Sequence, residues 1–131
     1  MNAMSGVSTG TAKAITRRLP APVDLLALYA KLSDNGKRHD TALFETTAGR
    51  NIIVDRAAVR IECRGGEVTV DSLSNGGQPV LRLLEHRLRA RVTERTDERI
   101  VLRFERSTET DAEKRLLAPS PLDVLRAIAT E

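Results

Sequence analysis

Val59-Arg60-Ile61-Glu62-Cys63-Arg64-Gly65-Gly66-Glu67-Val68-Thr69-Val70-Asp71-Ser72-Leu73 is the stretch that decides the fold. Val59, Ile61 and Cys63 alternate with Arg60 and Glu62, the period of a half-buried strand. Arg64-Gly65-Gly66-Glu67 predicts a tight hairpin, because adjacent glycines accept positive φ. Val68, Val70 and Leu73 then lie on the return strand. The chain therefore contains an antiparallel sheet with one apolar face, and helices must cover it.

Upstream, Asn51 to Cys63 is rich in β-branched residues, with a bulge or turn at Asp55 to Ala57. Thr41 to Glu45 reads as a short strand, joined to it by a polar connection from Thr46 to Arg50 around Gly49. Before that, Leu25, Leu28, Tyr29 and Leu32 share a helical face. The helix is expected from Pro22 to Asp34, with Asp24 in its first turn and Asn35-Gly36 as a left-handed stop. Downstream, Ser74-Asn75-Gly76-Gly77 breaks the return strand. Pro79 suits the first turn of a helix whose apolar stripe is Val80, Leu81, Leu84 and Leu88. Ile100, Leu102 and Phe104 alternate with Val101 and Arg103 in a further strand. A polar stretch from Ser107 to Lys114 leads to a last helix. Ser120 is its expected cap, Pro121 its first residue and Asp123 its capping-box acid. Leu122, Leu125 and Ile128 are its expected apolar side. The fold class is α+β, a mostly antiparallel sheet with helices on one face.

Composition bounds the rest. The chain has 131 residues, 40% hydrophobic and 30% charged, as in an ordinary globular domain. With one Tyr, two Phe and no Trp, the core must come from Leu, Val, Ile and Ala. The net charge is +3 and the pI about 9.5. The arginines between Arg82 and Arg106 are interspersed with Glu85, Glu94, Asp97, Glu98 and Glu105, the pattern of a solvated surface. No aromatic interleaves with them, so no stacking platform for nucleic acid is expected. No stretch is long enough to cross a membrane. Residues 1–18 lack the apolar core of a signal peptide and read as a flexible leader. Cys63 is alone, fits a reducing cytoplasm, and is expected as buried filler within its strand.

Little of this is catalytic. His39 and His86 have no partners at a recognised metal-ligand spacing. No persuasive nucleophile, base and acid set exists. Gly65-Gly66 and Gly76-Gly77 lack phosphate-loop spacing. One constellation remains. Leu43-Phe44-Glu45-Thr46 puts a carboxylate and a hydroxyl at the end of an apolar strand, with Arg50 beyond a short connection. Glu45 could take the ammonium of a zwitterionic amino acid, Thr46 could bond either polar end, and an apolar floor could hold its side chain. Isolated Glu-Thr pairs are also common at strand ends, where they merely meet water.

Four segments together resemble the amino-terminal region of anthranilate synthase component I. Ala42-Leu43-Phe44-Glu45-Thr46 looks like the Leu-Leu-Glu-Ser motif of that family's tryptophan feedback site. Asn51 to Ile61 is similar to the strand that follows, with its Val-Asp and Ala-Leu-Arg-Ile elements. Gly66 to Gly77 resembles the hairpin return and the Leu-Ser-x-Asn-Gly lead into the next helix. Val101 to Phe104 and Ser120 to Arg126 look like the late strand and helix. The resemblance runs from about Leu19 to Ala129, and Arg60 to Gly66 has the flavour of the form fused to its amidotransferase. It implies one domain over residues 19–131, part of a layered fold. The implied activity is conversion of chorismate and glutamine or ammonia into anthranilate and pyruvate, with Mg²⁺, in the cytoplasm. The catalytic and metal residues belong to a chorismate-binding domain that the chain to Glu131 does not contain, so it implies no catalytic residue, metal ligand or cofactor here. The implied tryptophan-binding residues are Glu45, for the ammonium, with Thr46, Leu43, Phe44 and Arg50. Thr46 stands where the family has Ser, and Phe44 where it has Leu. Implied partners are L-tryptophan, the chorismate-binding domain and a glutamine amidotransferase subunit or domain, with self-association when these are absent. A sister chorismate enzyme such as aminodeoxychorismate synthase, or a free-standing interaction module, are the alternative readings.

Overall fold

A computed structural model describes residues 15–18, 20 and 22–130. The first fourteen residues of the expected leader lie outside them. The described residues form two compact units that divide between Ala58 and Val59, inside the span that the resemblance treats as one domain.

The first unit holds α1 (Leu25–Leu32), β1 (Ala42–Glu45) and β2 (Asn51–Val54). Asp24 stands just outside α1 as its N-cap, one position earlier than its expected place in the first turn, and accepts a bond from the Ala27 N–H at 3.1 Å. Past the helix, Asp34, Asn35 and Gly36 all take positive φ, so the expected stop is a left-handed run. β1 and β2 pair antiparallel, Ala42 opposite Val54 and Glu45 opposite Asn51.

In the second unit are β3 (Val59–Arg64), β4 (Glu67–Ser72), α2 (Gln78–Arg87), β5 (Val92–Arg95), β6 (Arg99–Arg103), α3 (Ala112–Leu117) and α4 (Leu122–Ala129). Its sheet runs β3-β4-β6-β5 with every neighbour antiparallel. Val68 and Val70 of β4 and Ile100 and Leu102 of β6 are fully buried against Leu81 and Leu84 of α2 and Val124 of α4. Arg87 on α2 donates to the carbonyls of Ala127 and Thr130, both at 2.6 Å, so a cation closes the C-terminal end of α4.

Several expectations change. Of the two expected interruptions at Asp55 to Ala57, a bulge or a turn, the chain takes a full break: β2 and β3 are separate strands, and they belong to different sheets. β5 is an additional strand, inside a segment that reads as charged surface. α3 is an additional helix, started by Asp111, whose carboxylate accepts from the Glu113 and Lys114 N–H groups. The last helix turns a partly different face inward, with Ile128 packed against the core as expected. Val124 and Ala127 are buried, whereas Leu122 and Leu125 are 57% and 52% exposed. Its N-cap position falls on Pro121, and the Ser120 N–H donates to Asp123. Cys63 is exposed rather than buried. Its neighbours on the core face, Val59 and Ile61, are only partly buried, because β3 is the sheet's edge.

The β3–β4 turn needs its two glycines for different reasons. Gly65 has φ +61, the left-handed region. Gly66 has ordinary φ, but a Cβ there would collide with the Phe104 carbonyl oxygen. Phe104 N–H also donates to the Gly66 carbonyl at 2.7 Å. Both contacts are backbone and cannot swing aside. Gly66→Ala is therefore expected to cost about 1–3 kcal/mol by overpacking, read as a lower urea midpoint by circular dichroism. No change in midpoint would contradict this close approach.

Candidate functional site

The sequence-derived site residues all lie on the β1–β2 hairpin. Strand pleating sorts them. Leu43 and Glu45 share one face with their cross-strand partners Ile53 and Asn51. Phe44 and its partner Ile52 project from the other face, 57% and 62% exposed. Leu43 and Ile53 are half-buried. The apolar floor beside Glu45 is thus Leu43 with Ile53, not Leu43 with Phe44.

Thr46 follows the strand and shapes the turn. Its hydroxyl donates to the Arg50 carbonyl at 2.6 Å and accepts from the Arg50 N–H at 3.2 Å. Its N–H donates to Asn51 Oδ1 at 3.3 Å, and its carbonyl accepts from Gly49 N–H at 3.2 Å, with Gly49 at φ +75. A hydroxyl has one proton and two lone pairs. The proton and one lone pair are spent on the loop. Thr46 can therefore accept from an ammonium, but it has no proton left for a ligand carboxylate. That narrows the role read from sequence.

The Glu45 carboxylate has no hydrogen bond or ion pair among the described residues, and it is exposed. The same holds for the Arg50 guanidinium. Asn51 is the residue that sequence reasoning passes over. Its Oδ1 is held by the Thr46 N–H, which leaves its amide protons as donors beside Glu45. A five-residue turn, Thr46 to Arg50, makes Asn51 the cross-strand partner of Glu45, so the spacing already held that signal.

What steadies the hairpin is Arg38. Its guanidinium donates through Nε and Nη2 to both oxygens of Asp40, at 3.0 and 2.9 Å. It also reaches the Leu32 carbonyl at 2.7 Å, the Asp55 carboxylate at 3.1 Å and the Asp55 carbonyl at 2.9 Å. One side chain thus ties the end of α1 to the outer ends of β1 and β2. The Arg38 hydrogen bonds hold the Asp40 carboxyl below the usual carboxylate range.

An open groove in the second unit is lined by Gly66, Phe104, Arg106, Arg115 and Pro119, and none of the hairpin residues lines it. Among the described residues, no three His, Cys, Asp or Glu side chains gather as a metal-ligand group, and no helix is long and apolar enough to cross a membrane. A scan of the chain against protein-family models and a search of curated proteins find no match.

Proposed function

We propose that the chain is the regulatory amino-terminal region of an anthranilate synthase component I, and that its β1–β2 hairpin supplies part of a tryptophan feedback site. The observation that carries this reading is the Glu45 carboxylate, unpaired among the described residues, beside the half-buried Leu43 and Ile53 and next to a turn whose shape Thr46 fixes. A carboxylate next to an apolar strip suits an amino acid's ammonium and side chain. Thr46 would take a second ammonium proton, and Arg50 and the Asn51 amide would face the ligand carboxylate.

On this reading the reaction, chorismate and glutamine or ammonia to anthranilate and pyruvate, belongs to a chorismate-binding domain. That domain would also hold Mg²⁺, and the glutamine amidotransferase would supply the amine in the cytoplasm. This chain would have no lyase activity of its own. Tryptophan would inhibit by binding one arrangement of the two domains better than the other, which shifts the population. Leu116 and Leu117 of α3 and Leu122 and Leu125 of α4 support a protein neighbour, since they are 76%, 85%, 57% and 52% exposed.

An amide NMR titration with L-tryptophan tests the site directly. Shifts are expected at Glu45, Thr46, Arg50 and Asn51 at millimolar ligand, because half a pocket binds weakly. Glu45→Ala should weaken that binding about tenfold or more, the worth of a charge-assisted bond. Shifts that ignore the hairpin, or survive Glu45→Ala unchanged, would refute the assignment.

A further inference from the structure

The edge of β3, which has no strand partner among the described residues, carries an inference that does not rest on the tryptophan reading. In a two-residue hairpin, the pair flanking the turn exchanges hydrogen bonds, and bonded pairs then alternate along the ladder. Arg64 and Glu67 flank the turn, with Glu62 opposite Thr69 and Arg60 opposite Asp71. The backbone groups of Arg60, Glu62 and Arg64 therefore bond β4. Those of Val59, Ile61 and Cys63 point away from the sheet. No further backbone partner for them occurs among the described residues. The opposite edge is different: β5 is irregular between Val92 and Glu94, a feature that blunts edges. β3 has no such interruption over its six residues.

We infer that β3 pairs antiparallel with β3 of a second copy across a twofold axis at Ile61. The register follows from the side chains. The outward-pointing groups must meet each other, so only registers with an even offset are open. One that centres on Glu62 sets Glu62 against Glu62 and Arg60 against Arg64. One that centres on Arg60 sets Arg60 against Arg60. One that centres on Cys63 sets Glu62 against Arg64 but overlaps only three residues of β3, against five when the axis is at Ile61. Centring on Ile61 sets Arg60 against Glu62 of the second copy, twice. On the core face it sets Ile61 against itself and Val59 against Cys63. Opposite charges then meet at both sites on the solvent face, and apolar groups meet throughout the other. The Arg60 and Glu62 side chains are 42% and 45% exposed; within the chain they pair with each other at 3.5 Å, and Arg60 also reaches Asp71 at 3.3 Å, so the pairs between copies extend an exposed charge network that already exists. The pairing is isologous and consumes the regular edge of both four-stranded sheets, so these sheets close at a dimer with the bulged β5 edges outside. It also keeps the two Cys63 thiols four strand positions apart, so no disulfide joins them.

Sedimentation of the full chain from micromolar to millimolar concentration, with amide exchange in the same samples, tests this. A monomer–dimer equilibrium is expected. The amides of Val59, Ile61 and Cys63 should become protected as the dimer forms, whereas those of Glu62 and Arg64 stay protected at every dilution. Glu62→Arg and Arg60→Glu should each weaken self-association about tenfold or more, and mixing the two variants should restore a dimer. Cys63→Pro, which removes one outward N–H from each edge, should weaken it similarly. A chain that stays monomeric at millimolar concentration, or a dimer in which the Val59, Ile61 and Cys63 amides exchange freely, would overturn the proposal without touching the tryptophan reading.

Discussion

Leu102→Ala is expected to destabilise the unit that begins at Val59 by about 3–4 kcal/mol, near the middle of the range for a buried leucine. Leu102 is fully buried on the inner strand β6, paired to Val68 on one side and Val92 on the other. Leu81, Leu84 and Val124 share its cluster. Truncation removes its transfer free energy and leaves a cavity that sheet and helix cannot both collapse to fill. A unit of about seventy residues has a total stability of roughly 4–10 kcal/mol. The variant should therefore lose about a third or more of that stability. Urea unfolding followed by far-UV circular dichroism reads the effect as a lower midpoint with unchanged slope. Leu125→Ala is the control. Its side chain is 52% exposed, so it should change stability by no more than about 0.5 kcal/mol. Equal losses for the two leucines would mean that α4 turns its other face inward.

Arg38→Lys is expected to release the end of α1 from the hairpin. Among the described residues before Val59 the only buried side chain is the small polar Ser33. The described residues of that unit form no apolar core and lean on hydrogen bonds instead. Lysine keeps the charge but is a point donor, and it cannot span Asp40, Leu32 and Asp55 as the planar guanidinium does. The readout is amide exchange at Ala57, whose N–H donates to the Asp40 carbonyl at 2.8 Å. Its rate should approach that of unprotected chain. Acid should act similarly on the native protein. Asp40 titrates below its unfolded value when folded, so its contribution is complete above the ordinary carboxylate range. That contribution is lost as pH falls through the lowered value. In Arg38→Lys this acid-sensitive limb should largely vanish. Slow Ala57 exchange in the variant would show that the guanidinium is not the tie.

The candidate site was half visible in the sequence. Glu45 at a strand's tip follows from an apolar run that ends in an acid before a glycine turn. Its neighbours do not follow, because strand pleating and register decide them. Phe44, adjacent in sequence, lies on the other face, while Asn51, six residues on, stands opposite. Thr46 shows a second limit: a hydroxyl can serve a ligand or its own loop, and here the loop takes its proton.

Local rules by themselves determined the α+β class, the β3–β4 hairpin, the left-handed stop after α1 and the start of α2. Each depends on nearest neighbours: alternation, positive φ, or a proline at a first turn. Tertiary structure alone decided which stripe of α4 is core, that β2 and β3 part into separate sheets, and that Val92–Arg95 is a strand. In each case two arrangements satisfy the local pattern. Leu122 with Leu125 and Val124 with Ala127 are both helical stripes. Val92-Thr93-Glu94-Arg95 carries too few apolar residues to announce a strand. Burial against β4 and β6 breaks the tie, and that free energy exists only once distant segments have met.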